Sequence, residues 1–171
     1  MRTQVFVDES KARGLLVAAA VCVSGDVNRS RKRMRALLLG GERRIHFKKE
    51  SDPRRRKIVA AIADMDVSVR LYGRTTDDAA GRRACLDAVV RDASDNAERL
   101  VIERDESTLA FDRRVLFEAT RRHGCADSLT YELLAPYADP MLWIPDAVAW
   151  CWTRGGDWRD AVASFSTRQD I

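Results

Sequence analysis

Val5-Phe6-Val7-Asp8-Glu9-Ser10 decides how the sequence reads. Three apolar residues, two of them β-branched, form a strand that runs straight into an acidic pair. A buried strand that ends in a carboxylate delivers it to the sheet edge, where metal ions and phosphates can reach it. The pattern returns as Leu100-Val101-Ile102-Glu103-Arg104-Asp105-Glu106-Ser107. Two such strands point to one acidic cluster assembled from distant parts of the chain. The competing reading is local, because many strands end in Asp for turn chemistry alone.

Working outward, Thr3 to Asp8 and Leu15 to Val23 read as two strands joined by a turn containing Gly14. Both are nearly continuous in apolar residues, as expected of central strands covered on both faces. Asn28 to Leu39 has helical spacing and stops at Gly40-Gly41. Arg44 to Phe47 reads as a short extended piece. Ser51 or Asp52 caps a helix with Pro53 in its first turn and Ile58, Ile62 and Met65 on one face. Val67 to Tyr72 alternates as a strand, and Thr76-Asp77 would cap a helix that buries Leu86, Val89, Val90 and Ala93. Arg99 to Glu103 is a strand, Leu109 to Arg122 a helix, Leu129 to Leu133 a strand, and Leu142 to Trp152 an apolar final helix.

With residues 25 to 65 set aside, the order is three strands, helix, strand, helix, strand, helix. That is the order of the ribonuclease H-like fold. The expectation is therefore one α/β domain over residues 1–171, with a central mixed five-stranded sheet flanked by helices and a basic helical insert after the second strand. In that fold, carboxylates on the first strand, at the end of the fourth strand and on the last helix meet around metal ions. Those places hold Asp8, Glu103 or Asp105, and Asp146.

The same motifs resemble the bacterial domain-of-unknown-function 3800 family, whose members begin with a strand followed by Asp-Glu-Ser-Gly. Here Asp8-Glu9-Ser10 is followed by Lys11 in place of Gly. His46-Phe47-Lys48-Lys49-Glu50 matches that family's His-Phe segment, Glu103 to Asp105 its acidic strand end, and Pro145-Asp146-Ala147-Val148-Ala149-Trp150 its late Asp-Ala helix. The resemblance implies a ribonuclease H-like fold and nuclease chemistry, and names no substrate.

Composition fits an enzyme of polyanions. The net charge of +4 hides an asymmetry: Arg29 to Lys57 holds thirteen Lys or Arg against three acids, and the remainder holds seventeen bases against twenty-three acids. A basic segment beside a carboxylate cluster suits RNA or DNA, held for example by Arg43, Arg44, Lys48 and Lys49, although a solvated helix surface would read the same. The four cysteines are widely spaced without a CxxC pair, so neither a zinc knuckle nor a disulfide framework is indicated. The longest apolar run, Leu15 to Val23, is too short to cross a bilayer, and the protein is expected in the cytoplasm. The tryptophans of the last helix suit a core as well as the interface of a homodimer.

Phosphodiester hydrolysis requires an activated water and a stabilised leaving oxygen, which two divalent ions roughly 4 Å apart can supply. Magnesium or manganese prefers oxygen ligands, so Asp8, Glu103, Asp105 and Asp146 are the candidate ligands and catalytic acids. Each has a structural alternative: an Asx turn for Asp8, ion pairs with Arg99 or Arg104 for Glu103 and Asp105, and a helix-dipole contact for Asp146. Glu9 points away from Asp8 if the strand continues. His46 could move protons or touch phosphate, and Glu50 would be its neighbour only on a helix. His123 reads as a cationic helix cap. No Walker loop, GxGxxG or nucleophile elbow is present, so the rival function is a noncatalytic nucleic-acid- or protein-binding module on the same fold.

Overall fold

The computed structural model describes residues 1–171. Its sheet is built from β1 (Thr3–Ser10), β2 (Leu15–Val23), β3 (Val67–Arg74), β4 (Ala97–Glu103), β5 (Thr130–Leu134) and β6 (Ser166–Asp170), in the order β5-β4-β1-β2-β3-β6. β1, β2 and β3 form an antiparallel meander, while β4 joins β1, β5 joins β4 and β6 joins β3 in parallel. The helices are α1 (Val27–Ala36), α2 (Asp52–Ala63), α3 (Ala79–Ala93), α4 (Leu109–Arg122), α5 (Trp143–Arg154) and α6 (Gly156–Val162). This is the ribonuclease H-like arrangement expected, with six strands instead of five. β6 escaped the reading because Ser-Thr-Arg-Gln-Asp carries no apolar alternation, and four of its five residues are exposed on the sheet edge.

Strand alternation divides the core and decides where the acids go. Val5 and Val7 point to the face covered by α3 and α4, among Leu86, Val89, Val115 and Leu116. Phe6 points to the opposite face, among Ile144, Ala147 and Val148 of α5. Asp8 continues the Phe6 row and Glu9 the Val7 row, so the neighbours part to opposite faces. On β4, Val101 lies on the α5 face and Ile102 on the other, which carries Glu103 to the α5 side. β2 presents the fully buried Ala18 and Ala20 to α5, and their small side chains let the helix lie close to the sheet.

The turn after β1 depends on Gly14, at φ 77°, where an added Cβ would meet Arg74 O at 2.4 Å. Boundaries elsewhere shift by a few residues. The cap of α3 is Asp78, not Thr76 or Asp77; its side chain accepts from Gly81 N–H at 2.7 Å. Ser51 caps α2, as expected. Arg44 to Phe47 pairs with no strand: it passes through an extended His46 into a single 3₁₀ turn at Phe47–Lys49.

The basic segment is folded largely by its own arginines. Arg55 donates to Phe47 O at 3.0 Å and Lys48 O at 2.6 Å. Arg54 donates to Leu37 O at 2.6 Å and pairs with Glu50, and Arg31 forks onto the buried Asp139 at 3.1 and 2.8 Å. These side chains are committed to structure, so the cationic surface is smaller than the residue count suggests. All four cysteines are buried free thiols.

Candidate active site

Three carboxylates converge from three elements: Asp8 at the end of β1, Glu103 at the end of β4, and Asp146 in the first turn of α5. β1 and β4 run parallel with Val7 opposite Ile102, so Asp8 and Glu103 follow one another at adjoining strand ends. α5 brings Asp146 because its other early residues, Trp143, Ile144, Pro145, Ala147 and Val148, are buried against the sheet and fix its rotation.

Electrostatics distinguish these three acids from the rest. Every other buried or half-buried acid has an ion-pair partner, except Glu98, which accepts from Ser24 Oγ at 2.7 Å. Asp8, Glu103 and Asp146 have none. Burial, followed by repulsion from Glu103 and Asp146, holds the Asp8 carboxyl well above the usual carboxylate range. Burial likewise raises Glu103, with Arg44 partly offsetting it. Burial raises Asp146 against the opposing pull of the Phe47 amide, Arg44 and His46.

Local hydrogen bonds orient the group. Glu9 N–H donates to Asp8 Oδ1 at 2.7 Å, so a turn-like contact coexists with membership of the cluster. Phe47 N–H donates to Asp146 Oδ2 at 3.1 Å and ties the basic segment to the acids. Glu103 Oε2 is buried and receives no bond from an amide, hydroxyl or guanidinium; a protonated Asp8 is the neighbour able to donate to Glu103. Arg44 Nε is buried without a partner and faces the same acids.

The remaining candidates are placed differently. Asp105 stands just outside the cluster, accepting from Ser107 N–H at 2.9 Å and pairing with Lys11 at 3.7 Å. The ion pair expected with Arg99 or Arg104 is absent, since those arginines pair with Glu132, Asp139 and Glu106, and Asp105 lines the same opening as Asp8 and Glu103. Glu50 does not reach the site, because Arg54 holds it at 3.3 Å. His46 lies beside Asp146, where burial first and the charge of Arg44 second lower its pKa. Lys48 lines an adjoining cleft, Lys49 is exposed, and Arg43 is stacked 3.9 Å from the Tyr137 ring centroid. His123 caps α4 and meets Asp87 at 3.1 Å.

One network went unread in the sequence. On the face opposite Asp8, Glu9 is gripped by Arg82 of α3, which also forks onto Asp112 of α4 at 2.6 and 2.8 Å. Thr108 Oγ1 donates to Asp112 at 3.0 Å. Arg82 and Asp112 are fully sheltered polar residues. The available signal was phase: Arg82 shares a stripe with Leu86 and Val89, and Asp112 with Val115 and Leu116.

The donor set suits a hard divalent cation: three carboxylates outside any direct ion pair and one buried oxygen without an amide, hydroxyl or guanidinium donor. No three acidic, histidine or cysteine side chains are already drawn into a ligand sphere, so the structure presents donors and not a finished coordination geometry.

The fold is an α/β fold of the ribonuclease H-like class. A chain in the structure of the PCNA:RNase HII complex from Archaeoglobus fulgidus overlays with a TM-score of 0.61 at 16% identity, covering 89% of this chain and 73% of that one. The ribonuclease H2 of Pyrococcus horikoshii OT3 and Bst-RNase HIII in complex with Mn2+ overlay at TM-scores of 0.48 and 0.47, both at 13% identity. They cover 86% of this chain and 70% and 50% of theirs. At such identities the likeness establishes the fold alone. No protein-family model and no curated protein matches the sequence.

Proposed function

We propose that the protein is a divalent-metal-dependent nuclease, using magnesium or manganese to hydrolyse phosphodiester bonds of RNA or DNA. One observation carries this reading: the three partly buried acids with neither an ion pair nor a hydroxyl partner are the three that meet at the ends of β1 and β4. Leaving carboxylates buried and mutually repelling costs stability, a cost that folds tolerate mainly at sites of function. Asp8, Glu103 and Asp146 would hold the metal, with Asp105 available at the rim. When bound, divalent metal supplies charge neutralisation and a more acidic water.

The chain's own groups prepare the surroundings. Phe47 N–H fixes one oxygen of Asp146, and the Arg82 network fixes the end of β1 through Glu9. Arg44, from the basic segment, brings a positive charge close to Glu103 and Asp146. His46, whose pKa burial and the charge of Arg44 lower, can exchange a proton beside Asp146. The resemblance to the domain-of-unknown-function 3800 family supports the same reading.

The test is cleavage of labelled single- and double-stranded RNA and DNA with manganese, magnesium or chelator. Metal-dependent cutting that disappears in Asp8→Asn and Asp146→Asn is expected, and its substrate preference names the nucleic acid. Salt-sensitive binding without cutting, unchanged by chelator and by Asp8→Asn, would instead identify a binding module.

A further inference from the structure

Two clefts meet at Glu9 and Lys11 and have opposite chemistry. One, of about 390 Å³, is the acidic opening over Asp8, Glu103 and Asp105. The other, of about 480 Å³, begins at Asp146 and is walled by the β1–β2 turn, the 3₁₀ segment and the end of α5. Its cations are Arg13, Lys48 and Arg154, one from each wall. All three are exposed, and none is in an ion pair, unlike most arginines of the basic segment. Lys11, by contrast, is held between Glu9 and Asp105 at 3.6 and 3.7 Å. The acids in this cleft are Glu9, already neutralised by Arg82, and Asp146. Ser10 and Thr153 add two hydroxyls, 3.4 Å apart.

We propose that this second cleft holds the phosphodiester backbone of a nucleic-acid strand next to the acid cluster, and reads it without regard to base sequence. The proposal rests on the nuclease reading for its orientation, and its chemistry stands separately. Three uncommitted cations on three separate walls suit consecutive phosphates along a strand better than one small anion. The hydroxyls can donate to phosphate or sugar oxygens. The large indole of Trp150, which with the His46 ring lines the cleft, offers little for base stacking, because it is already engaged. It packs edge-on to Phe47 and Trp158 at 5.3 Å, with the Arg55 guanidinium 4.3 Å from its ring centroid. The gripping surface is therefore centred on the cleft, with only Lys48 drawn from the basic segment.

The test is equilibrium binding of fluorescein-labelled 20-nucleotide strands of mixed sequence, RNA and DNA, in chelator across a salt series. The triple variant Arg13→Gln, Lys48→Gln, Arg154→Gln is compared with wild type and with Arg2→Gln, Arg113→Gln, Arg114→Gln. The latter removes the same charge from exposed, unpaired positions outside the cleft. The expected result is more than about tenfold weaker binding for the cleft variant, whatever the sequence. Its salt slope should be shallower by about one for each lost phosphate contact, with the control near wild type. Equal losses in both variants, no loss in the cleft variant, or no binding by wild type at low salt would overturn the proposal. Cutting that persists at full rate in the cleft variant sinks the cleft and leaves the nuclease. Cleft-dependent binding with no cutting in any metal sinks the nuclease and leaves the cleft.

Discussion

At the scale of residues, the two halves of the Asp8-Glu9 pair serve opposite ends. Glu9 is neutralised by Arg82, whereas Asp8 is left to repel Glu103 and Asp146. Folding raises the pKa values of all three clustered acids, so the folded state prefers their protonated forms. The resulting stability is present at low pH and lost as pH rises through the raised values. Metal-free Asp8→Asn should therefore melt higher than wild type at neutral pH, by about 2–4 °C for each kcal/mol of repulsion relieved, with the advantage vanishing in acid. Thermal melts of both proteins across pH, in chelator, check this. An Asp8→Asn protein that melts lower than wild type at neutral pH would show that the cluster is not repulsive. The Arg82 network has the opposite sign. Arg82→Met strands Asp112 and Glu9 and should cost about 3–5 kcal/mol in urea unfolding, much of it restored in Arg82→Met, Asp112→Met. A loss below about 1 kcal/mol would show that the network is not needed to hold α3, α4 and β1 together.

At the scale of elements, the antiparallel hairpin β1–β2 and helix α5 aim the acids. Gly14 lets the hairpin close against the Arg74 carbonyl, and Gly14→Ala should destabilise by about 1–3 kcal/mol by chemical denaturation. A neutral effect would mean that the turn can relax without strain. The elements legible in the sequence were those with apolar periodicity, β1 to β5 and α1 to α5, each within a few residues of its bounds. Asp8, Glu103 and Asp146 could be named because alternation along β1 and β4 fixes a face, and because Asp146 interrupts an apolar helix. What was not legible lacks that periodicity. β6 is polar along its whole length, the Arg44 to Phe47 stretch has no partner strand, and Glu50 turns toward Arg54 through a tertiary choice that spacing does not encode. The cleft cations Arg13 and Arg154 escaped notice because their nearness arises only when β1–β2 and α5 pack together.

At the scale of the molecule, charge is sorted by place more than by amount. The basic segment consumes Arg54 and Arg55 in bonds within itself and Arg31 on Asp139, while three unpaired cations, Arg13, Lys48 and Arg154, line the cleft that begins at Asp146. The tryptophans of α5 serve the core: Trp143 is buried, and Trp150 and Trp152 pack against the same apolar cluster, which leaves the homodimer expectation without support. No helix is long and apolar enough to cross a membrane. The central claim is that three carboxylates from β1, β4 and α5 form one divalent-metal site. Manganese binding, followed by titration calorimetry and by the loss of the free-ion paramagnetic signal, tests it most directly. Wild type should bind, and Asp8→Asn, Glu103→Gln and Asp146→Asn should each weaken binding by more than about 100-fold, while Glu50→Gln should not. Wild type that binds no manganese, or clustered-acid variants that bind it as wild type does, would contradict the account.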